Sequence, residues 1–356
     1  MKKKKSVEEE VPVKKKKKKK KESTVEVSTE GFGDKPNNPF KADWKHMLST
    51  GSTLVDLAIS GKRKKFGGIP TGILVEISGR SGSGKTALLT EICASAQRKK
   101  GQAYFNDPEA RLDKEYAAIT GYSLTDEKLY DRPDTVTALF KNFKDWEVDP
   151  EFPNVFAGDS LAALSTDMEM EDEDKMGMRR AKELSEGLRK HARMFAKKNI
   201  LMVCSNQLRE SPTGRTTPGG NAVPFYSSVR MEVMPHFPTA KVKREKTIRG
   251  VKQTKIIGVQ SDVTIIKNSL DDPFRKVPVY IIFGYGVDDV RGNLMWLKEN
   301  RGEKKFLVDS KEFAGIDPAI AYVEENGLEK KIKKEVVDLW NELEEAFNTK
   351  RKPKQR

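Results

Sequence analysis

Gly79-Arg80-Ser81-Gly82-Ser83-Gly84-Lys85-Thr86 sets glycine, lysine and a hydroxyl at the spacing G-x-x-x-x-G-K-[ST]. That spacing suits a nucleoside triphosphate. Backbone N–H groups of the loop and the N-terminus of the helix entered at Ala87 would cradle the phosphates, Lys85 would reach the outer ones, and Thr86 a magnesium ion. Hydrolysis needs two more groups, a carboxylate beside the metal and a base for the attacking water. Asp159 ends the apolar run Val155-Phe156-Ala157-Gly158, where a central strand would deliver it next to Thr86. Glu109 closes Tyr104-Phe105-Asn106-Asp107-Pro108-Glu109. At the carboxyl end of a strand it would face the crevice in which open α/β sheets bind ligands. Asp107 competes for the base's role, and an exposed loop carboxylate is the plainer reading of Glu109.

These residues need a scaffold. Ile73–Ser78 reads as a buried strand and Ala87–Ala94 as a helix, which gives the loop the strand–turn–helix setting its chemistry requires. Apolar runs recur at Ala103–Phe105, Val155–Ala157, Ile200–Val203, Val229–Val233, Val263–Ile266 and Val279–Phe283, with helical patterns between the first four. That order predicts an α/β fold, a mainly parallel central sheet extended by antiparallel strands at its C-terminal edge. Asp43–Gly51 is expected to hold a short helix and Leu48–Ile59 a second. The Lys- and Arg-rich connector Pro235–Gly258 reads as an exposed hairpin or loop, and residues 293–350 as a small, mostly helical appendage ending in the amphipathic Glu329–Phe347. There is no internal repeat.

The net charge of the 356 residues is +14. Residues 1–22 hold twelve lysines against four glutamates and so carry +8 of it, leaving a mildly basic remainder. A lysine run of this kind is a solvated tail that attracts polyanions without specifying one; a nuclear address is its weaker reading. Cys93 and Cys204 fit small buried hydrophobes in a reducing compartment. His46, His191 and His236 stand apart from any cysteine or carboxylate cluster, which argues against zinc. With no apolar run long enough for a membrane span and no signal-peptide pattern, the expectation is a soluble, cytoplasmic protein with no membrane partner.

A series of segments then resembles the successive signatures of the bacterial RecA recombinase family: Glu109–Tyr116, Gly158–Leu164, Met176-Gly177-Met178, Ser205–Arg209 and Gly219–Arg230, preceded by Ser49-Thr50-Gly51-Ser52. They stand in the family's order from about residue 48 to 290. The resemblance implies a RecA-like P-loop ATPase core over residues 66–290, after a disordered tail (1–36) and a segment that would dock on the next subunit (37–65), and before a small C-terminal domain with a basic tail (291–356). It implies ATP and Mg²⁺ as cofactors, with DNA-dependent hydrolysis to ADP and phosphate. Glu109 would polarise water, Asp159 would stand on the magnesium side, and Gln207 would sense the γ-phosphate. Asp113 and Tyr116 would contact adenine, and Lys267 would reach the ATP of the neighbouring subunit. DNA contacts would fall to Arg179, Arg180 and Arg189 after an acidic first loop, and to Arg209, Arg215, Gly219, Gly220 and Asn221 in the second. Implied partners are single-stranded DNA, double-stranded DNA, further copies of the chain in a helical filament, and single-strand-binding and mediator proteins.

The chain also departs from the family. Its second loop is shorter and lacks the bulky apolar wedge, Pro224 stands where a lysine is expected, and Ser269 replaces the second of two lysines that would face the neighbour's ATP. Lysine richness and divergent ends look more like a phage-encoded member. Two other readings stay open: a RecA-like ring helicase or recombinase mediator, and a DNA scaffold that binds ATP without significant hydrolysis. The Gly219–Arg230 signature favours the recombinase over the first, and the presence of both Glu109 and Asp159 weighs against the second.

Overall fold

Every residue from Leu74 to Gly79 is buried, including Glu76 and Ser78, as in a strand covered on both faces. The computed structural model describes residues 43–170, 178–211, 214–348 and 351. They begin with β1 (Asp43–Leu48), α1 (Thr53–Ser60) and β2 (Ile69–Thr71), then alternate through β3 (Leu74–Gly79), α2 (Lys85–Arg98), β4 (Ala103–Asn106), α3 (Lys114–Ile119), β5 (Tyr130–Asp131), α4 (Val136–Asp145) and β6 (Asn154–Gly158). Next come α5 (Asp167–Met170), α6 (Met178–Lys197), β7 (Ile200–Gln207), the short pair β8 (Arg209–Ser211) and β9 (Gly214–Thr216), α7 (Ala222–Tyr226) and β10 (Val229–Pro235). The remainder is β11 (Lys241–Ile248), β12 (Val251–Asn268), β13 (Lys276–Ile282), β14 (Gly286–Val287), α8 (Asp289–Asn300), β15 (Phe306–Val308), β16 (Lys311–Phe313), α9 (Ile316–Glu325) and α10 (Glu329–Phe347).

The main sheet runs β14-β13-β12-β10-β3-β7-β6-β4-β5, with β11 paired to β12 alone. From β10 to β5 all pairings are parallel, whereas β12, β13 and β14 add antiparallel strands at one edge. This is the predicted mixed sheet. Side-chain alternation builds a core on each face. Val75, Ile77, Leu201 and Val203 pack with α1 and α2. Leu74, Phe156, Met202 and Cys204 pack with α4 and α6, where Phe143 meets Phe156 and Phe195 edge to face.

The expected helix at Asp43–Gly51 is instead β1, paired antiparallel with β2 through an irregular register. Trp44 and Leu48 are the buried residues of this strand. Their spacing of four fits a strand's period of two as well as one helical turn, and pairing with β2 decides between them. The second expected helix is α1, which starts at Thr53 because Ser52 caps it by accepting from Val55 N. The C-terminal helices share the core of the first face: Trp296 and Trp340 lie 5.9 Å apart, and Arg275 of the loop before β13 grips Glu344 at 2.8 Å.

The Lys-rich tail, residues 37–42, the acidic stretch 171–174 with Met176 and Gly177, and the basic residues 352–356 lie outside the described residues. Among those described, no helix is long and apolar enough to cross a membrane.

Candidate active site

Strand β3 ends at Gly79 with β10 and β7 on either side, so the glycine loop after it opens into the crevice at the carboxyl edge of the sheet. Gly84 enters α2 at φ 95°, and a Cβ there would meet Ile281 Cδ1 at 1.9 Å. Lys85 folds back over the loop, its Nζ donating to the carbonyls of Gly79 (3.2 Å) and Arg80 (2.9 Å). Burial lowers the pKa of this ammonium, while Asp159 and Glu109 pull it back up. Thr86 Oγ1 donates to Asp159 Oδ2 at 2.6 Å, and the Ser205 hydroxyl donates to the other carboxylate oxygen.

Glu109 faces the same crevice. Its Oε1 lies 3.5 Å from Gln207 Nε2 and its Oε2 2.6 Å from Arg111 Nη1. Asp107 borders the crevice too, but its carboxylate is buried and accepts from Leu112 N (2.8 Å) and the Tyr130 hydroxyl (3.0 Å), which shapes the turn presenting Glu109. The cavity is about 280 Å³, lined by Ser81, Gly82, Lys85 and Thr86 on the loop side, with Tyr116 and Ile119 of α3 above. Phe283, just past β13, lines the cavity as well and is 63% exposed. Sequence reasoning missed Phe283 and Ser205; an aromatic at the end of an apolar strand reads as core, and its one available signal was the glycine that follows it.

Asp113 does not line this cavity. Its side chain caps α3, accepting from Tyr116 N at 2.6 Å, and it borders a neighbouring depression with Lys114 and Arg132. Lys267 is also elsewhere: opposite Arg230 on β12, it donates to the carbonyls of Pro224 (2.8 Å) and Phe225 (3.0 Å) at the end of α7. Burial, and then the Arg230 charge, lower its pKa.

A second polar cluster lies beneath the crevice. Glu76 is fully buried, with Arg230 Nε at 2.5 Å and Asn206 Nδ2 at 3.2 Å. Asn206 Nδ2 also donates to the carbonyl of Pro218 at 3.0 Å, so the residue next to Gln207 holds the far end of the second loop. That loop is a hairpin of β8 on β9; the side chains of Arg209 and Arg215 lie outside the described residues. Gly219 and Gly220 turn the chain at φ 97° and 68° against Leu184 and Ala181 of α6, and Asn221 precedes α7, exposed. Arg180 Nη1 donates to the carbonyls of Ala162 and Leu164 at 3.3 and 3.1 Å, Arg179 pairs with Glu183 at 3.7 Å, and Arg189 is exposed on α6.

The donor set suits a magnesium-bound triphosphate. A hydroxyl and a carboxylate sit together, hard oxygen ligands of the kind Mg²⁺ takes; beside them an ammonium holds only backbone carbonyls, and a Cβ added to Gly82 would point into open space.

The family model for the RecA N-terminal domain matches residues 34–288. Protein RecA of Xylella fastidiosa (strain M12) is 35% identical over 252 residues, 67% of this chain and 67% of the relative. Protein RecA of Thermus thermophilus is 36% identical over 251 residues, 68% and 69% of the two chains, and that of Xanthomonas axonopodis pv. citri (strain 306) is 34% identical over 253 residues, 68% and 67%.

Proposed function

The chain belongs to the RecA family, and on that premise we propose that it is an ATP-dependent recombinase that forms a helical filament on single-stranded DNA and pairs it with duplex DNA. The observation that carries this reading is the convergence of Lys85, Thr86, Asp159 and Glu109 on one crevice, with Gln207 joining it to the second loop.

The loop and the N-terminus of α2 bind the triphosphate of ATP, and Lys85 exchanges its carbonyl partners for phosphate oxygens. Thr86 and Asp159 would hold Mg²⁺, which would supply positive charge against the phosphates. Ser205 keeps the Asp159 carboxylate turned toward Thr86. Glu109 orients a water for attack on the γ-phosphorus and accepts its proton, while Arg111, already paired with it, is placed to balance the charge. Tyr116 and Phe283 take the base between them.

Gln207 donates to whichever acceptor the outer phosphate position offers, Glu109 oxygen or phosphate. A shift there moves Asn206 and with it the Pro218 end of the second loop, where Arg209, Arg215 and the Gly219–Asn221 turn contact the strand; Arg179 and Arg189 of α6 extend that contact. Lys267 leaves the carbonyls of Pro224 and Phe225 in the filament to face the triphosphate held by the neighbouring copy.

The test is ATP hydrolysis with and without single-stranded DNA, on the wild type and Lys85→Ala, with the same samples imaged by negative-stain microscopy. Strand-stimulated hydrolysis abolished by Lys85→Ala, with extended filaments on the DNA, is expected. Closed rings, or hydrolysis indifferent to DNA, would overturn the filament reading.

A further inference from the structure

Strands β11 and β12 run on together well past the sheet that anchors them. β12 is flanked by β10 and β13 only from Gly258 onward, and every residue from 243 to 256 is exposed. The ribbon leaves at a defined place: Val233 of β10 lies opposite Gly79, and Pro235 opposite Ser261, so it projects from the carboxyl edge that carries the phosphate loop. Val259 at its root lines the nucleotide cavity.

Its charge is lopsided. Residues 241–256 hold seven lysines and arginines against Glu245 alone, a net of +6. Once the +8 of residues 1–22 is taken from the total of +14, these sixteen residues account for all the surplus that is left, and the rest of the chain is neutral. The register sorts the two faces. Arg244 opposes Lys255, Lys246 opposes Gln253, and Ile248 opposes Val251, so one face carries three cations and an aliphatic tip with no acid of the ribbon among them. At its root Arg244 Nε reaches Asp317 at 3.4 Å. The other face holds Lys243, Lys252 and Glu245, Lys252 meeting the carboxylate at 2.7 Å, and so keeps one cation over against the three of the first. At the turn Arg249 takes φ 52° beside Gly250 at φ 77°, so a cation occupies a left-handed position that Asn or Gly fills more readily.

Lysines on a free edge also serve to block strand-to-strand aggregation. That role does not account for Ile248 and Val251, exposed by 56 and 57% at the tip of the same arm. We propose that the β11–β12 ribbon is a separate duplex-DNA contact, laid into a groove with its cationic face on the phosphates and its aliphatic tip at the groove floor. The major groove is ~12 Å wide and admits a two-stranded ribbon. Single strands are held by stacking on aromatic rings, and the ribbon has none between residues 241 and 256. The proposal rests on the DNA-binding reading above and adds a site to it.

The experiment uses the full chain and the variant Lys246→Ser/Arg249→Ser/Lys255→Ser, which keeps the lysine tail and changes exposed positions only. Affinity for a fluorescent duplex oligonucleotide, and for one of its strands alone, is measured across a salt series, with polyglutamate as competitor. Loss of duplex affinity by tenfold or more, with the slope of log K against log salt reduced by about 2–3 and the single-strand affinity and strand-stimulated hydrolysis kept, is expected. A duplex slope equal to that of wild type overturns the proposal while leaving the recombinase reading intact. Equal losses on duplex and single strand overturn the duplex assignment, as does polyglutamate of matched charge binding the wild type more tightly than duplex at the same salt and losing that affinity in the variant, which would make the partner an acidic protein. A wild-type chain that binds no DNA removes both readings together.

Discussion

Thr86 and Asp159 are joined at 2.6 Å, so the first turn of α2 and the carboxyl end of β6 meet through one hydroxyl and one carboxylate. Asp159→Asn keeps the shape and removes the charge. Turnover is expected to fall by at least ~100-fold, with a raised magnesium requirement. Ser205→Ala leaves the charge and frees the second oxygen, and a smaller loss in the same direction is expected. Steady-state hydrolysis across a magnesium titration separates the two. Wild-type turnover in Asp159→Asn would remove the carboxylate from the metal side.

Glu109 has a different signature because it would act on water. Glu109→Gln should lower kcat by roughly 10²–10⁴ while nucleotide affinity stays close to wild type. Arg111, 71% exposed at its side chain, holds Glu109 at 2.6 Å; Arg111→Ala should change stability by no more than ~0.5 kcal/mol. Fluorescent-nucleotide titration beside single-turnover hydrolysis distinguishes loss of chemistry from loss of binding.

Much of this was legible in the chain itself. The phosphate loop carries its own context, and apolar strands at βαβ spacing give the parallel order, so Asp159 and Glu109 arrive at the same crevice by topology. What was not legible depended on tertiary pairing. Trp44 and Leu48 satisfy either period until β2 pairs with their strand. Asp107 and Glu109 look alike in sequence, and only the bonds from Leu112 N and the Tyr130 hydroxyl tie the first of them to the turn. Lys267 rests on the carbonyls of Pro224 and Phe225, a partnering its position in an alternating strand does not announce.

Arg230 and Glu76 form an ion pair that nothing on the surface announces, Glu76 being wholly buried on the central strand. Arg230→Ala strands that carboxylate with Asn206 as its remaining partner. A loss of about 3–5 kcal/mol is expected. Glu76→Leu/Arg230→Leu removes both charges and should recover most of it. Urea denaturation of the two variants is the check; a double variant as unstable as the single would mean that packing, not charge, is the source.

Glu91 makes stability depend on pH. It sits on α2 with its side chain 12% exposed, and burial pushes its carboxyl from the ordinary 4.5 up to about 7; Arg98 at 3.9 Å and the Val287 amide only partly offset this. Between those two values the folded chain keeps a proton that the unfolded chain has released, so this contribution is fully present below 4.5 and is lost as pH rises through about 7. The size is roughly 3 kcal/mol if nothing nearby compensates. Asp56, pushed up to about 6 by burial despite its bonds from Ser49 and Thr50, acts with the same sign over a lower window. Glu91→Gln keeps an acceptor for the Val287 amide and cannot ionise. Its urea midpoint should match wild type near pH 4 and exceed it near pH 8, leaving the smaller fall due to Asp56. A variant that loses as much stability as wild type over that interval would place the titration elsewhere.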